Sequence, residues 1–410
     1  MSRGPAAGPQ APSAYRRGTV GDEAPPRGFD AAELRGRVDR CQRLMDTAGL
    51  DALLLTTEPE FRYFSGFLTQ FWLSPTRPWF LVLPRTGSPT AIVPEIGAPL
   101  LRRTWVPTIL TWPSPRPRDE GVSLLVEALS GLVPPSGRVG LPMGPETTVR
   151  MPMADLLTVQ TALAPRELVD ATAVVKSLRM VKSEAEIAKI RYICRTASGV
   201  FDAVPELVVG GQSLEDIFRA FKVDLLRAGA DDVPYLVGAS APDGYESVIA
   251  PPDQRPLTAG DVLMLDTGAT FDGYYCDFDR NFSVGPASAA AGLAYDTLFR
   301  ATEVALERTE VGTTCSELYR TMRQVITDDG FASGNMGRMG HGLGMQLTEW
   351  PSHTVDDDTE LRPGMVLTLE PSVTYGDGAG MVHEENVVVR EHGLELLTGR
   401  APERLPELRS

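Results

Sequence analysis

In Leu263-Met264-Leu265-Asp266-Thr267-Gly268-Ala269 an apolar strand runs into a carboxylate. Eleven residues on, past the turn pair Asp272-Gly273, a second strand delivers Asp277. Apolar runs of this kind are buried, and a buried carboxylate needs partners. Three later segments offer them. Gly340-His341-Gly342-Leu343-Gly344 sets one imidazole among glycines. Val366-Leu367-Thr368-Leu369-Glu370-Pro371 ends another strand in a carboxylate, and His383-Glu384-Glu385-Asn386-Val387-Val388-Val389 opens a strand with an acidic pair. Asp266, Asp277, His341, Glu370 and Glu385 together make a hard, oxygen-rich donor set. It suits two divalent metal ions, manganese foremost, with iron, cobalt or zinc also fitting. Two metals that share carboxylates can activate a water and polarise a substrate oxygen.

In this order and spacing the five residues resemble the creatinase, prolidase and aminopeptidase P family, the pita-bread metallohydrolases. Its motif is Asp-x-Gly, a second Asp eleven residues later, Gly-His-Gly, Glu-Pro and a final Glu-Asp or Glu-Asn. Leu178-Arg179-Met180-Val181-Lys182-Ser183-Glu184-Ala185-Glu186-Ile187 looks like the segment that opens that family's catalytic domain. Glu60-Phe61-Arg62-Tyr63-Phe64-Ser65-Gly66-Phe67 looks like an early segment of its N-terminal domain. The resemblance implies an α/β N-terminal creatinase-like domain, then an α+β pita-bread catalytic domain of two pseudo-symmetric halves. It further implies Glu370 as proton carrier. It implies a homodimer as well, in which the segment Gln70 to Arg77 caps the partner's cleft.

Four positions depart from the peptidases of that family. Seven residues after His341, where they keep a histidine, stands Thr348, within Leu347-Thr348-Glu349-Trp350. A second histidine is missing from Gly244-Tyr245-Glu246-Ser247-Val248-Ile249-Ala250. His383 takes the place of an arginine two residues before Glu385, and Asp279 that of a threonine two residues after Asp277. Residues two apart on a strand share a face. His383 and Asp279 therefore join Glu370 as catalytic candidates, Asp279 as ligand, acid/base or anchor for a cation unless it merely pairs with Arg280. Thr348, Glu349, Trp350 and Tyr245 are candidate substrate-binding residues, since an aromatic beside an acid suits an amine-bearing group. Core packing for Trp350 and a supporting hydrogen bond for Glu349 are the alternatives. His353 falls in a polar loop and His392 at the surface. Two unit charges near 4 Å interact by about 4 kcal/mol at an effective dielectric of about 20. Asp279 should thus disfavour anionic substrate groups, with weak activity on ordinary Xaa-Pro dipeptides and better turnover of cationic substrates.

Composition narrows the setting. The 410 residues carry a net charge of −15 and 42% hydrophobic residues, which argues against nucleic acid or an anionic membrane as partner. Cys41, Cys194, Cys276 and Cys315 show no paired spacing and read as reduced thiols in a cytoplasmic protein. Residues 1–28, rich in Pro, Gly, Ala and Arg, read as a disordered leader. Residues 29–168 alternate helix and strand, 169–182 look like a connector, 183–400 form the catalytic domain and 401–410 a tail.

The expected function is hydrolysis of a C–N bond in a small molecule or short peptide, in the manner of Xaa-Pro peptidases. The alternative is a metal-dependent lyase, as in the dimethylsulfoniopropionate lyases of this fold, with Asp279 as base. A non-catalytic binding module is disfavoured because all five ligand positions are filled.

Overall fold

The computed structural model describes residues 23–74, 77–333, 337–376 and 378–410. Residues 1–22 of the expected leader, and residues 75 and 76 of the expected cap, lie outside these. The helix Ala31–Ala48 buries Leu34, Val38, Cys41 and Met45 at helical spacing. Asp30 caps it by accepting from the Glu33 amide, and Gly49 ends it at φ 66°, a left-handed conformation that disfavours larger residues.

Six strands then form one sheet. Their order is Thr108–Trp112, Thr90–Pro94, Phe80–Pro84, Ala52–Leu55, Arg138–Leu141, Glu167–Asp170. Ala52–Leu55, buried throughout, pairs antiparallel with Phe80–Pro84 and parallel with Arg138–Leu141. Parallel neighbours need crossovers. The helices Val122–Leu132 and Met153–Leu163 lie in two of them and pack Leu125, Leu129, Val159 and Leu163 onto the sheet. The expected connector is itself largely a helix, Thr172–Arg179.

Two long helices, Glu184–Leu207 and Leu214–Ala228, open the second half. Ser183 forms a capping box with Glu186, and Ser213 caps the following helix through the Asp216 amide. The central strand Asp261–Phe271 is flanked antiparallel by Asp232–Pro242 and Phe278–Val284. Its turn pair Asp272 and Gly273 has φ of 47° and 66°, as a tight hairpin requires. A second helix pair, Ala289–Arg308 and Cys315–Asp328, leads to a second five-stranded sheet. Its order is Glu349–Ser352, His341–Gly342, Val366–Leu369, Glu385–Arg390, Gly393–Leu396. The succession of helix pair and sheet thus occurs twice, a repeat with no visible period in the sequence. The expected tail is part of the fold: its strand Glu407–Leu408 pairs parallel with Phe278–Val284. The four cysteines are buried and free. No described helix is long and apolar enough to cross a membrane.

One apolar core joins the halves, with Val38, Phe64 and Trp79 sharing it with Ile187, Leu263 and Phe278. Buried ions meet at the seam. Arg179 bonds to Glu60 at 2.9 Å and to Glu349 at 2.5 Å, and Lys182 reaches Glu349 at 3.1 Å. Burial alone would raise the Glu349 pKa, but Arg179 and Lys182 outweigh it and hold it at about 2. A carboxylate depressed in this way stabilises the fold above its ordinary pKa of 4.5 and loses that contribution as pH falls toward 2. Glu349→Gln, which leaves two buried cations short of a partner, should cost about 3–5 kcal/mol in urea unfolding at neutral pH. It should also flatten the loss of stability between pH 4.5 and 2; an unaltered acid limb would show that Glu349 is not the group responsible.

Candidate metal centre

Asp266, Asp277, His341 and Glu370 line one cleft of about 230 Å³, together with Glu384, Arg338, Tyr235 and Thr348. Val248, Ile249, Leu347 and Val382 supply apolar wall. The two aspartates owe their position to strand pairing. Asp279 lies opposite Asp266 in the ladder between Phe278–Val284 and Asp261–Phe271, and Asp277 follows on the same face. Asn386 fixes Asp277 from behind: its amide group donates to the Asp277 carbonyl, and its oxygen accepts the Asp277 N–H at 2.9 Å. The Cys194 thiol donates to that same oxygen at 3.2 Å.

His341 is set by its glycines. A Cβ on Gly342 would stand 1.9 Å from the Trp350 carbonyl oxygen, and one on Gly340 2.2 Å from that of Thr368. The His341 N–H donates to the Thr368 hydroxyl at 3.0 Å. Its Nδ1 lies 2.8 Å from the Gly342 carbonyl, which places the ring proton there and leaves the Nε2 lone pair free. Nε2 is 3.4 Å from Asp277 Oδ2 and 4.0 Å from Glu370 Oε2. Burial first, then Arg338, depress the His341 pKa to about 3, so the ring is neutral and able to ligate at neutral pH.

The last carboxylate is Glu384, which corrects the expectation of Glu385. Leu369 pairs with Glu385 across the second sheet, so one rung further Glu370 faces Glu384. Glu384 and Val382 point into the cleft, while His383 and Glu385 take the opposite face. There Glu385 accepts from Arg280 at 2.9 Å, Arg400 at 3.0 Å, the Ala401 amide at 2.9 Å and the Thr398 hydroxyl. Burial opposes ionisation, yet these cations hold its pKa far below the usual carboxylate range. His383 is not in the cleft either. It lies 3.6 Å from Glu385 Oε1 and 2.8 Å from Arg400 Nη1, and burial lowers its pKa to about 4.

Other expectations are also revised. Asp279 is buried and absent from the cleft lining; its carboxylate accepts from Asn281 at 2.7 Å, while the Arg280 guanidinium donates to the Asp279 backbone carbonyl at 2.6 Å and to the Glu385 carboxylate at 2.9 Å. Tyr245 is core, its hydroxyl donating to Asn281 at 2.9 Å and accepting the Val382 N–H at 2.9 Å. Trp350 is buried, and Glu349 is engaged by Arg179 and Lys182. His353 lies in the loop after Ser352 but is fully buried there, whereas His392 is exposed. Of the candidate substrate-binding residues, Thr348 alone lines the cleft. The sequence reading missed three polar lining residues, Glu384, Arg338 and Tyr235. Glu384 adjoins the residue chosen in its place, and Arg338 stands in the same glycine-rich stretch as His341, so both carried a signal; Tyr235 carried none.

The charges of the cleft do not balance. Burial and then Glu370 raise the Asp266 pKa to about 8; burial, against the pull of Arg338, raises that of Glu370 to about 7. Asp277 and Glu384 rise further, through burial and then their carboxylate neighbours. Asp266 Oδ1 and Glu384 Oε1 are buried without a hydrogen-bond partner. Arg338 is the one cation among the lining residues. Asp277, His341 and Glu384 bring donor atoms within 4.8 Å of one another. Orphaned carboxylate oxygens around a neutral imidazole fit divalent cations. Glu384→Gln should therefore lower metal stoichiometry, read by elemental analysis, without lowering the melting temperature of the metal-free chain. Glu385→Gln should lower stability by about 3–5 kcal/mol while the folded fraction still binds metal. The reverse pattern would restore Glu385 as the ligand.

A family model described as Metallopeptidase family M24 matches residues 188–391, and one for the Creatinase/Prolidase N-terminal domain matches residues 37–181. The chain is 28% identical over 368 residues to a probable dipeptidase PepE of Mycobacterium tuberculosis, covering 90% of this chain and 95% of the relative. It is 26% identical over 367 residues to a Xaa-Pro dipeptidase of Pyrococcus horikoshii, covering 88% and 96%. The crystal structure of dipeptidase PepE from Mycobacterium ulcerans superposes with a TM-score of 0.81 at 28% identity, over 93% of this chain and 100% of that one.

Proposed function

Because the chain belongs to the creatinase, prolidase and aminopeptidase P family of metallohydrolases, we propose that it is a dinuclear-metal hydrolase of short peptides, cleaving the C–N bond in the manner of Xaa-Pro peptidases. The observation that carries this reading is the convergence of four uncompensated carboxylates and one neutral imidazole on a single small cleft. Asp266, Asp277, His341, Glu370 and Glu384 would hold the ions, manganese foremost. Divalent cations there would supply an electrophile for a peptide carbonyl and acidify a water. Glu370 is the proton carrier: its side chain stays 18% exposed against 6% for Asp277, so it reaches the substrate. It takes a proton from the attacking water and returns it to the departing amine nitrogen. Leu347, Ile249 and Val382 offer an apolar wall to a substrate side chain. A volume of about 230 Å³ lies under the common range for small-molecule sites, about 300–1,000 Å³, which favours short peptides.

The same reading takes the chain as a cytoplasmic homodimer. Leu73, 83% exposed in the segment expected to cap the partner's cleft, supplies an apolar contact for it. The lyase alternative gains no support, because Asp279, its intended base, does not line the cleft.

Protein loaded with manganese should hold up to two metal ions per chain and hydrolyse dipeptides, and chelation should abolish turnover. Glu370→Gln should lower kcat by a factor of about 10²–10⁴, the usual range for loss of a proton-transfer group. Active protein free of transition metal by elemental analysis would overturn the reading.

A further inference from the structure

A second concavity shares no lining residue with the metal cleft. It lies between the helices Ala31–Ala48 and Thr172–Arg179 and the turn at Pro363-Gly364. Its volume is about 490 Å³, inside the common range for small-molecule sites, about 300–1,000 Å³. Arg40, Arg43, Lys182 and Arg362 line it, beside an apolar wall that includes Leu178 and Val181. Among the described residues this lining holds no carboxylate, in a chain with 54 acidic residues against 39 basic ones. Four cations gathered on one cavity run against that composition.

The acids on neighbouring elements do not neutralise them. Glu33 is taken by Arg37, Asp46 by Arg85 and Glu184 by Arg390. Asp39, the remaining acid of the first helix, comes within 4.0 Å of none of the three arginines. Among the described residues Arg43 and Arg362 have neither an ion pair nor a side-chain hydrogen bond, and Arg40 has only the Tyr63 hydroxyl beside it. Lys182 forms the buried floor. Of its three ammonium donors, one goes to Glu349 at 3.1 Å and a second to the Met180 carbonyl at 3.5 Å, which leaves the third for an occupant. The walls are tied together: the Lys182 N–H donates to the Gly364 carbonyl at 2.8 Å, and Val181 pairs with Met365. Gly364 has a φ of 89°, and a Cβ there would stand 2.9 Å from the Lys182 carbonyl, so this turn holds Arg362 close against the floor.

Three unpaired guanidinium groups over one ammonium suit an anion of more than one charge. A phosphate monoester brings about −1.5 to −2 at pH 7 on three acceptor oxygens, and guanidinium forks bond such oxygens in pairs. The apolar wall suits the organic part of an ester and has no use for a bare ion. We propose that this cavity binds a small organic phosphate monoester, its head group on Arg40, Arg43, Arg362 and Lys182 and its body on Leu178 and Val181, and that the occupant acts on the metal cleft through Lys182. Glu349, the partner of Lys182, also accepts the Gln346 N–H at 3.2 Å, and a Cβ on Gly344 would stand 2.7 Å from its carboxylate. The segment so held carries Leu347 and Thr348 into the cleft. An anion that draws on Lys182 weakens this hold, so on the peptidase reading above the phosphate lowers turnover.

Binding is measured by calorimetry at low salt on the full chain stripped of metal, so that phosphate has no metal ion to ligate. The probes are phenyl phosphate, inorganic phosphate and benzoate. Phenyl phosphate should bind the wild type at least about tenfold more tightly than either of the others, since each of those lacks the ester's body or its second charge. The double variant Arg43→Gln/Arg362→Gln should lose at least about tenfold in affinity for it, and Arg43→Lys/Arg362→Lys should keep part. Both arginines are exposed and unpaired, so the melting temperature of either double variant should match that of the wild type. No binding to the wild type, or binding of wild-type strength in the Gln variant, would overturn the site. Inorganic phosphate or benzoate bound as tightly as phenyl phosphate would overturn the ligand class. With manganese restored, phenyl phosphate should lower kcat/KM for a dipeptide in the wild type and much less in the Gln variant, whose activity without phosphate is unchanged. Equal inhibition of both, as phosphate on the metals would give, or inhibition of neither, would overturn the action on the cleft. Intact phosphate binding in a chain that cleaves no peptide would uphold the site and overturn the peptidase reading alone.

Discussion

Four carboxylates buried around one imidazole cannot all ionise without a counter-charge. That constraint organises the catalytic half. The protein has cations nearby but places them elsewhere: Arg280 and Arg400 on Glu385, Arg179 and Lys182 on Glu349. Burial then raises the pKa of every cleft carboxylate. Had Arg280 faced the cleft, it would have neutralised one carboxylate and weakened the set's attraction for a metal. The folded chain therefore keeps a repulsive site in place, and the cost is offset by the packed layers on either side. Asp266 accordingly sits within a strand, and Asp277, Glu370 and Glu384 each lie one residue from a strand end, where the ladder still fixes them. Asp277 is bolted at its backbone by Asn386, and Glu384 by the anchored residue beside it.

Much of this was legible in the sequence, for reasons that can be named. Asp266 interrupts a buried run, Asp261 to Phe271, and Glu370 follows another, Val366 to Leu369, where a surface role is implausible. Helix limits were readable where a cap marked them, as at Ser183 and Ser213. Tyr245, Glu349 and Trp350 were misread because proximity in sequence to a motif says nothing about which face a side chain takes. Glu349 is three residues from Gln346 in the chain, yet its partners Arg179 and Lys182 come from more than a hundred and sixty residues away. No local pattern encodes such a pairing. Arg338 was passed over for the opposite reason. It stands two residues before the stretch Gly340 to Gly344, and a lone arginine in a glycine-rich loop is ordinarily a solvated residue.

The acidic pair shows most clearly where the one-dimensional reading fails. On a strand a one-residue slip exchanges every side chain between faces. Taking Glu385-Asn386 as the motif put Glu385 and His383 in the cleft. Taking Glu384 instead puts Val382 there, which also removes a cationic stand-in at His383 and leaves Arg338 as the cleft's positive charge. Electrostatics alone does not decide between the two registers, since either glutamate could meet either set of partners. The decision comes from the apolar residues that follow. Val387 and Val389 pack into the core beneath the second helix pair, while Val388 packs into the core shared with the N-terminal half. Asn386, on the same face as Val388, can then reach the backbone of Asp277. A slip by one residue would bury Asn386 in the wrong core and strand Val387 against Asp277. Three valines and an asparagine thus choose which of two adjacent carboxylates faces the cleft.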